Sequence, residues 1–252
     1  MKAVMAAGSD LFSPLGECVP ADVVQTLRRE IVEHYTLGST HAQQQEVAYI
    51  TACRELVEAS SQTWKRGLYD TTALNRLQCL VKERLRLVIP HLDEQRSFGR
   101  PQIAVRERAG LATSPHLDGL EQGASTRAPD LPVAIIGVYL DDVPSPEDAA
   151  LIVWPRQACQ VDQIMTSGTE GRALAERLVS ITDACRVDDP HAQTVLGPSG
   201  YIFVFSGSMP HCSLKRRTRG LRIAVYFRIY ATRQFGHQMQ LTNNQNKNNQ
   251  IF

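Results

Sequence analysis

Near residue 100 the spacing of apolar residues changes from a helical period to strict alternation, and that change limits the folds open to this chain. Before it, "PADVVQTLRREIVEHY" carries Val23, Val24, Leu27 and Ile31 at helical spacing behind a proline suited to a first turn. "HAQQQEVAYITACRELVEAS" repeats a rougher stripe through Val47, Ile50, Leu56 and Val57. "TTALNRLQCLVKERLRLVI" aligns Leu74, Leu77, Val81, Leu85 and Val88, with Thr71 or Thr72 as cap, and stops at Pro90. After the change, "QIAVRER" sends Ile103 and Val105 to one face and Gln102, Ala104, Arg106 and Arg108 to the other. "PVAIIGVYL", "AALIVWP" and "GYIFVF" read as strands, and "LRIAVYFRIY" alternates most strongly of all. One helix is predicted within this half, near 167–185, where Ser167 and Glu170 have capping-box spacing.

Helices first and strands afterwards predict an α+β chain, with the mainly helical residues 1–95 backing a sheet or barrel built from residues 100–230. The expected organisation is one domain over residues 1–240, followed by a polar, low-complexity tail at 241–252.

Bulk properties narrow the function. Twenty-seven basic residues against 26 acidic ones give no strong field for nucleic acid or a membrane surface. Six cysteines without a C-x-x-C pair argue against a zinc ribbon or a disulfide scaffold. Reduced, mostly buried thiols in a cytoplasmic protein are expected. The apolar run in "MKAVMAAGSD" is too short for a signal peptide or a membrane span.

The tetrapeptide PHLD occurs twice, at Pro90–Asp93 and Pro115–Asp118. A histidine and an aspartate two residues apart can place two metal ligands on one side of an extended segment. His91 and Asp93 follow a helix into the charged "EQRSFGR", where an exposed turn is expected. His116 and Asp118 follow a strand and a short, flexible "AGLATSP", a setting suited to the mouth of a barrel. His211, after the strand "GYIFVF", is the best third ligand. Two histidines and one carboxylate leave one face of an octahedral metal open, which suits ferrous iron that must also bind a cosubstrate and O2.

In the last strand Leu221, Ile223, Val225, Phe227 and Ile229 share one face, while Arg222, Ala224, Tyr226 and Arg228 share the other. An inward arginine is costly unless it meets an anion. Arg222, eleven residues after His211, could grip a carboxylate in bidentate fashion.

"PHLDG", "HCS" and Arg222 at that offset resemble the Fe(II)- and 2-oxoglutarate-dependent oxygenases, with closest similarity to the phytanoyl-CoA dioxygenase-like branch. "GVYLDDVPSPEDAALIVWPRQA" resembles a segment of that branch reading LDD, then G-A-L, then P-G-S-H. Here Ala149-Ala150-Leu151 stands for G-A-L and "WPRQA" for P-G-S-H, so substrate identity does not carry over. The resemblance spans about residues 100–230. It implies a double-stranded β-helix (a jelly-roll, cupin-like barrel) in which His116, Asp118 and His211 hold Fe(II). It further implies that Arg222 and Ser213 bind the far carboxylate of 2-oxoglutarate. The implied reaction oxidises a substrate with release of succinate and CO2, and the presence of Asp118 favours hydroxylation over halogenation.

The expected substrate is a small organic molecule, such as a biosynthetic intermediate, rather than a nucleic acid or a membrane component. Gln102 is a further candidate for the cosubstrate, and Arg106, Arg108, Arg228 and Trp154 for the substrate. Trp154 and Tyr139 also suit the core, Ser213 a plain turn, and Arg222 an ion pair with Asp118 or Glu107. "KRRTRG" (215–220) reads as a solvated turn or an attractor of anions, and residues 119–131 as a segment able to move. The rival class is a cupin-like metal-binding barrel without redox turnover: a binding module, an isomerase or a hydrolase.

Overall fold

The computed structural model describes residues 12–37, 71–88, 98–99, 101–106, 112–120 and 129–230. The expected helix at 41–60, His91 and Asp93, Glu107, Arg108, most of the 119–131 segment and the polar tail lie outside the described residues.

Two antiparallel sheets form the centre. The larger runs β1 (Phe12–Cys18), β6 (Tyr201–Ser206), β3 (Ala134–Tyr139), β8 (Arg222–Ile229), β2 (Gln102–Arg106). The smaller runs β5 (Gln193–Val195), β4 (Leu151–Val153), β7 (His211–Ser213). Every neighbouring pair is antiparallel.

Period-two alternation divides the large sheet into two working faces. Ile103, Ile136, Val138, Ile202, Val204, Ile223, Val225, Phe227 and Ile229 form one core with helices α1 (Ala21–Leu37) and α2 (Thr72–Val88). Those helices contribute the predicted stripe: Val23, Val24, Leu27 and Ile31 from α1, and Leu74, Leu77, Val81 and Leu85 from α2, all buried. Burial of each large aliphatic side chain stabilises by roughly 1.5–3 kcal/mol, which outweighs the weak intrinsic preference of such short helices. A charge at Leu77, which has no exposed surface, would undo this layer. Thr71 caps α2, its Oγ1 accepting from the Leu74 amide at 3.3 Å.

The opposite face meets the small sheet. Ala104, Ile135, Tyr139, Phe203, Phe205, Ala224 and Tyr226 pack there with Leu151, Val153 and Val195. Gly137 lies in register with Phe203, and a Cβ at that position would sit 2.1 Å from the ring. The strand needs glycine at this point so that Phe203 can lie across it.

Asp141, at the end of β3, ties the layers together. Its Oδ1 accepts from Arg28 of α1 at 2.5 Å, and its Oδ2 accepts from the Ile223 amide of β8 at 2.7 Å. Asp142 Oδ1 accepts from the Ser199 amide at 2.7 Å. The "LDD" stretch therefore braces the sheet.

Several expectations are corrected. The mainly helical first third also carries a strand that was not expected, β1, which pairs with β6. Two helices follow β4, α3 (Pro155–Thr166) and α4 (Gly171–Ala184), where one was expected near 167–185. Ser167 is the C-cap of α3 rather than the cap of α4, and Glu170 precedes α4 without a side-chain cap bond. The basic turn is not simply solvated: Arg216 is buried, and Thr218 Oγ1 donates to Asp148 Oδ1 at 2.6 Å. Among the five described cysteines three are exposed (Cys18, Cys79 and Cys159) and none forms a disulfide, so the thiols are not mostly buried. Among the described residues no helix is long and apolar enough to cross a membrane.

Candidate metal centre

His211 begins β7 on the edge of the small sheet, and the segment 113–116 runs alongside it. Thr113 N donates to Ser213 O at 3.1 Å, and Ser213 N donates to Thr113 Oγ1 at 2.7 Å. His116 and His211 exchange both backbone hydrogen bonds, at 3.1 and 3.0 Å. This isolated bridge holds the two imidazoles beside one another, with ring centroids 4.5 Å apart.

Backbone carbonyls then fix the rings. His116 Nδ1 lies 2.8 Å from Ser114 O, and His211 Nδ1 lies 3.0 Å from Met209 O. A carbonyl oxygen can only accept, so each Nδ1 carries a proton, and in the neutral ring Nε2 is the nitrogen with the lone pair. Both Nε2 atoms point at Asp118 Oδ1, 3.7 Å from His116 and 3.9 Å from His211. One ligand atom from each of the three residues lies within 4.8 Å of the others. The segment 113–118 therefore delivers two ligands, and Gly119 turns the chain away behind them at φ +83°. A Cβ on Gly119 would come 2.0 Å from Asp130 O, so the turn requires glycine.

The electrostatics suit a cation. Burial, together with neighbouring His116, lowers the His211 pKa to about 4, so the imidazole is a neutral ligand near pH 7. Burial by itself would push the Asp118 carboxyl up. The hydrogen bond from Arg228 and the nearby imidazoles outweigh that and hold it below the usual carboxylate range. Arg228 Nε donates to Asp118 Oδ2 at 2.7 Å, leaving Oδ1 for the histidines. Phe205 walls His211 edge-on at 5.0 Å. Two imidazoles and one carboxylate converging on a point, each oriented by a further hydrogen bond, fit a divalent transition metal.

Behind the triad a small cavity of about 40 Å³ is lined by Gln102, Ala104, Arg106, Thr113, Leu151, Ser213 and Tyr226 as well as the three ligands. Arg222 lies fully buried in the same inward face, with Arg106 as its register partner across β2 and β8. Its Nε donates to Ala149 O at 2.9 Å, its Nη2 also donates to Ala149 O, and Nη2 reaches Ser213 Oγ at 3.2 Å. Ala149 adopts φ +60°, and its carbonyl meets the guanidinium. Tyr139 stacks against Arg222 with its ring centroid 5.5 Å from the guanidinium carbon. Its hydroxyl donates to Val195 O and accepts from the Leu151 amide, at 3.0 and 3.1 Å. Burial pushes the Tyr139 hydroxyl pKa up, so it stays neutral.

The remaining sequence candidates separate clearly. Arg222 does not pair with Asp118, because Arg228 does. Arg228 also donates to Gln102 Oε1, so Gln102, Arg228 and Asp118 form one hydrogen-bonded chain. Trp154 is fully enclosed in a cluster with Ile152, Cys185 and Cys212, and its Nε1 donates to Arg186 O at 2.9 Å. That packing corrects the reading of Trp154 as a substrate contact. A wider cavity of about 460 Å³ borders His116 on another side, between residues 114–120 and the C-terminal part of α4. Its lining residues Val179, Thr182 and Arg186 carry no motif that sequence reading could have used.

No protein-family model and no curated protein matches this chain. Solved structures do resemble it. EvdMO1 superimposes with a TM-score of 0.54 at 12% identity, covering 87% of this chain and 47% of that one. A prolyl-4-hydroxylase from Pseudomonas putida gives 0.49 at 14% identity over 88% of this chain and 93% of its own. HygX from Streptomyces hygroscopicus, solved with iron bound, gives 0.47 at 13% identity over 88% and 82%. At such identities the likeness is one of fold, and EvdMO1 is the neighbour among these three whose score supports it.

Proposed function

We propose that this chain is a non-haem Fe(II)- and 2-oxoglutarate-dependent oxygenase acting on a small organic molecule. One observation carries the reading: His116, Asp118 and His211 converge on a point beside a buried guanidinium at Arg222 that forms no ion pair with a carboxylate among the described residues. The two antiparallel sheets with helices on one face are compatible with a double-stranded β-helix. The spacing of "PHLDG", "HCS" and Arg222 supports the phytanoyl-CoA dioxygenase-like branch.

In this reading His116, Asp118 and His211 hold the iron, and Ser213 and Arg222 hold the far carboxylate of 2-oxoglutarate. Bound iron supplies activation of O2, coupled to oxidation of the 2-oxo acid to succinate and CO2. The protein's own part is orientation. Ser114 O and Met209 O keep the imidazole protons on Nδ1, and Arg228 turns one Asp118 oxygen away from the ligand site. Phe205 and the apolar core behind it exclude water from His211. The 460 Å³ cavity beside His116 is the place for the substrate, since it is large enough for a small organic molecule and borders a metal ligand. A redox-inactive metal-binding barrel is the second reading, and the buried Arg222–Ser213 pair weighs against it.

The test is anaerobic Fe(II) titration of the apoprotein with and without 2-oxoglutarate, followed by visible absorbance. The expected outcome is the metal-to-ligand charge-transfer band of a 2-oxo acid chelated to ferrous iron. Iron binding without a band would favour the redox-inactive barrel, and no iron binding would remove the metal assignment altogether.

A further inference from the structure

Arg222 lacks the free fork that a bidentate grip on a carboxylate requires. Its Nε and Nη2 are engaged with Ala149 O and Ser213 Oγ, and only Nη1, buried and without a partner among the described residues, is left to donate. Among the described residues two more buried donors nearby are equally unpartnered: Arg106 Nε and the Tyr226 hydroxyl. Buried polar atoms left unpaired cost roughly 1–3 kcal/mol each, so three on one wall point to a missing ligand.

Their register makes that wall a cradle. Arg106 pairs with Arg222, Ala104 with Ala224, and Gln102 with Tyr226, all on the inward face of β2 and β8. The two alanines keep the middle row low, and the cavity opens over Ala104. The triad and Arg228, which holds Asp118, stand at the end marked by Gln102 and Tyr226. A ligand chelated at the metal and reaching along the cradle would therefore end between the two arginines. Among the described residues neither Arg106 nor Arg222 forms an ion pair with a carboxylate. Burial, with the like charge of Arg222 alongside, also holds Arg106 below the usual arginine range, so an anion set between them would favour the charged form of both.

Resting on the oxygenase reading above, we propose that Arg106 and Tyr226 complete the seat for the distal carboxylate of 2-oxoglutarate. Arg106 Nε and Arg222 Nη1 donate to that carboxylate from opposite strands, and the Tyr226 hydroxyl supplies a third donor. Arg106 thereby belongs to the cosubstrate rather than to the substrate. Its neutral replacement should weaken any 2-oxo acid that carries a distal carboxylate and spare one that does not.

Isothermal titration calorimetry on anaerobic Fe(II)-loaded protein tests this, with 2-oxoglutarate and 2-oxopentanoate, its analogue lacking the distal carboxylate, as titrants. Arg106→Met and Tyr226→Phe should each bind 2-oxoglutarate roughly tenfold to hundredfold more weakly, the range of a hydrogen bond to a charged group. Affinity for 2-oxopentanoate and for Fe(II) should stay near wild type. Unchanged 2-oxoglutarate binding in both variants, or equal losses for the two acids, would overturn the proposal. If Arg106→Met also loses iron through misfolding, Tyr226→Phe, which removes a single oxygen, and Arg106→Lys, which keeps the charge, decide by the same comparison. Wild-type protein that binds iron but not 2-oxoglutarate would overturn the oxygenase reading itself, and this seat with it.

Discussion

Arg228 grips one oxygen of Asp118 from a strand 110 residues further along the chain, Nε to Oδ2 at 2.7 Å, while the other oxygen faces both imidazoles. The carboxylate is thus held with a single oxygen toward the ligand site. Replacing Arg228 by Met leaves Asp118 free to rotate and removes a charge that keeps it ionised. Groups that orient metal ligands in this way typically account for a 10–100-fold effect on affinity. Arg228→Met is expected to lose about tenfold or more in Co(II) or Fe(II) affinity, with Arg228→Lys recovering part of it. Equal affinities across the three proteins, with circular dichroism unchanged, would remove Arg228 from this role.

The duplicated PHLD provides an internal control. His116→Ala deletes one of the convergent ligands and should abolish stoichiometric Fe(II) binding. His91→Ala, in the copy expected to form an exposed turn, should leave it intact. Metal content after anaerobic loading and desalting distinguishes the two, and the opposite pattern would reassign the site.

Ala149 occupies left-handed backbone at φ +60° and is fully buried. That conformation costs a non-glycine residue about 1–2 kcal/mol, while its buried methyl returns about 0.8 kcal/mol. Ala149→Gly should therefore change the unfolding free energy by no more than about 1 kcal/mol. Ala149→Val adds β-branching where it is least tolerated, and should destabilise by more than about 2 kcal/mol. It should also weaken 2-oxoglutarate binding, because the Ala149 carbonyl anchors Arg222. Denaturant melts of the three proteins check the first two expectations.

The cysteines should divide by burial. Cys185 and Cys212 are enclosed, and burial pushes both thiols up to about 12 from 9.0. At pH 8 they are protonated as well as shielded, so iodoacetamide should leave them unmodified in the native protein. Cys18, Cys79 and Cys159 are exposed and should be labelled. Peptide mass mapping after a short exposure reads the pattern, and labelling of Cys212 before unfolding would contradict the packing around Trp154.

Much of this arrangement was legible in the sequence because alternation is a local signal. Ile223 to Ile229 and Arg222 to Arg228 could be sorted onto two faces from spacing, and the faces are as expected. The convergence of His116, Asp118 and His211 was legible from residue chemistry and context. What escaped was pairing over long separations. Alternation turned Arg228 inward but could not say that Asp118 would meet it. Strand β1 contains Pro14 and Gly16, which hide it from any β pattern, and it exists through its ladder with β6. Helix α3 buries only Ala158 and Val161, too thin a stripe to announce itself. Trp154 suited either the core or the substrate in the sequence, and the helix that begins at the next residue, which no strong stripe announced, closes the indole into a buried cluster.

Strand β8 serves both the helix-backed core and the chemistry from alternate residues, and this couples the two through parity. Inserting or deleting one residue within Arg222–Ile229 would turn part of the run Ile223, Val225, Phe227 and Ile229 toward the site and arginines into the apolar layer. Point substitutions on one face leave the other nearly untouched, but a length change damages both at once. In variants of this chain, changes in β8 should therefore be exchanges of side chain at constant length, with insertions confined to segments where no alternation has to be kept.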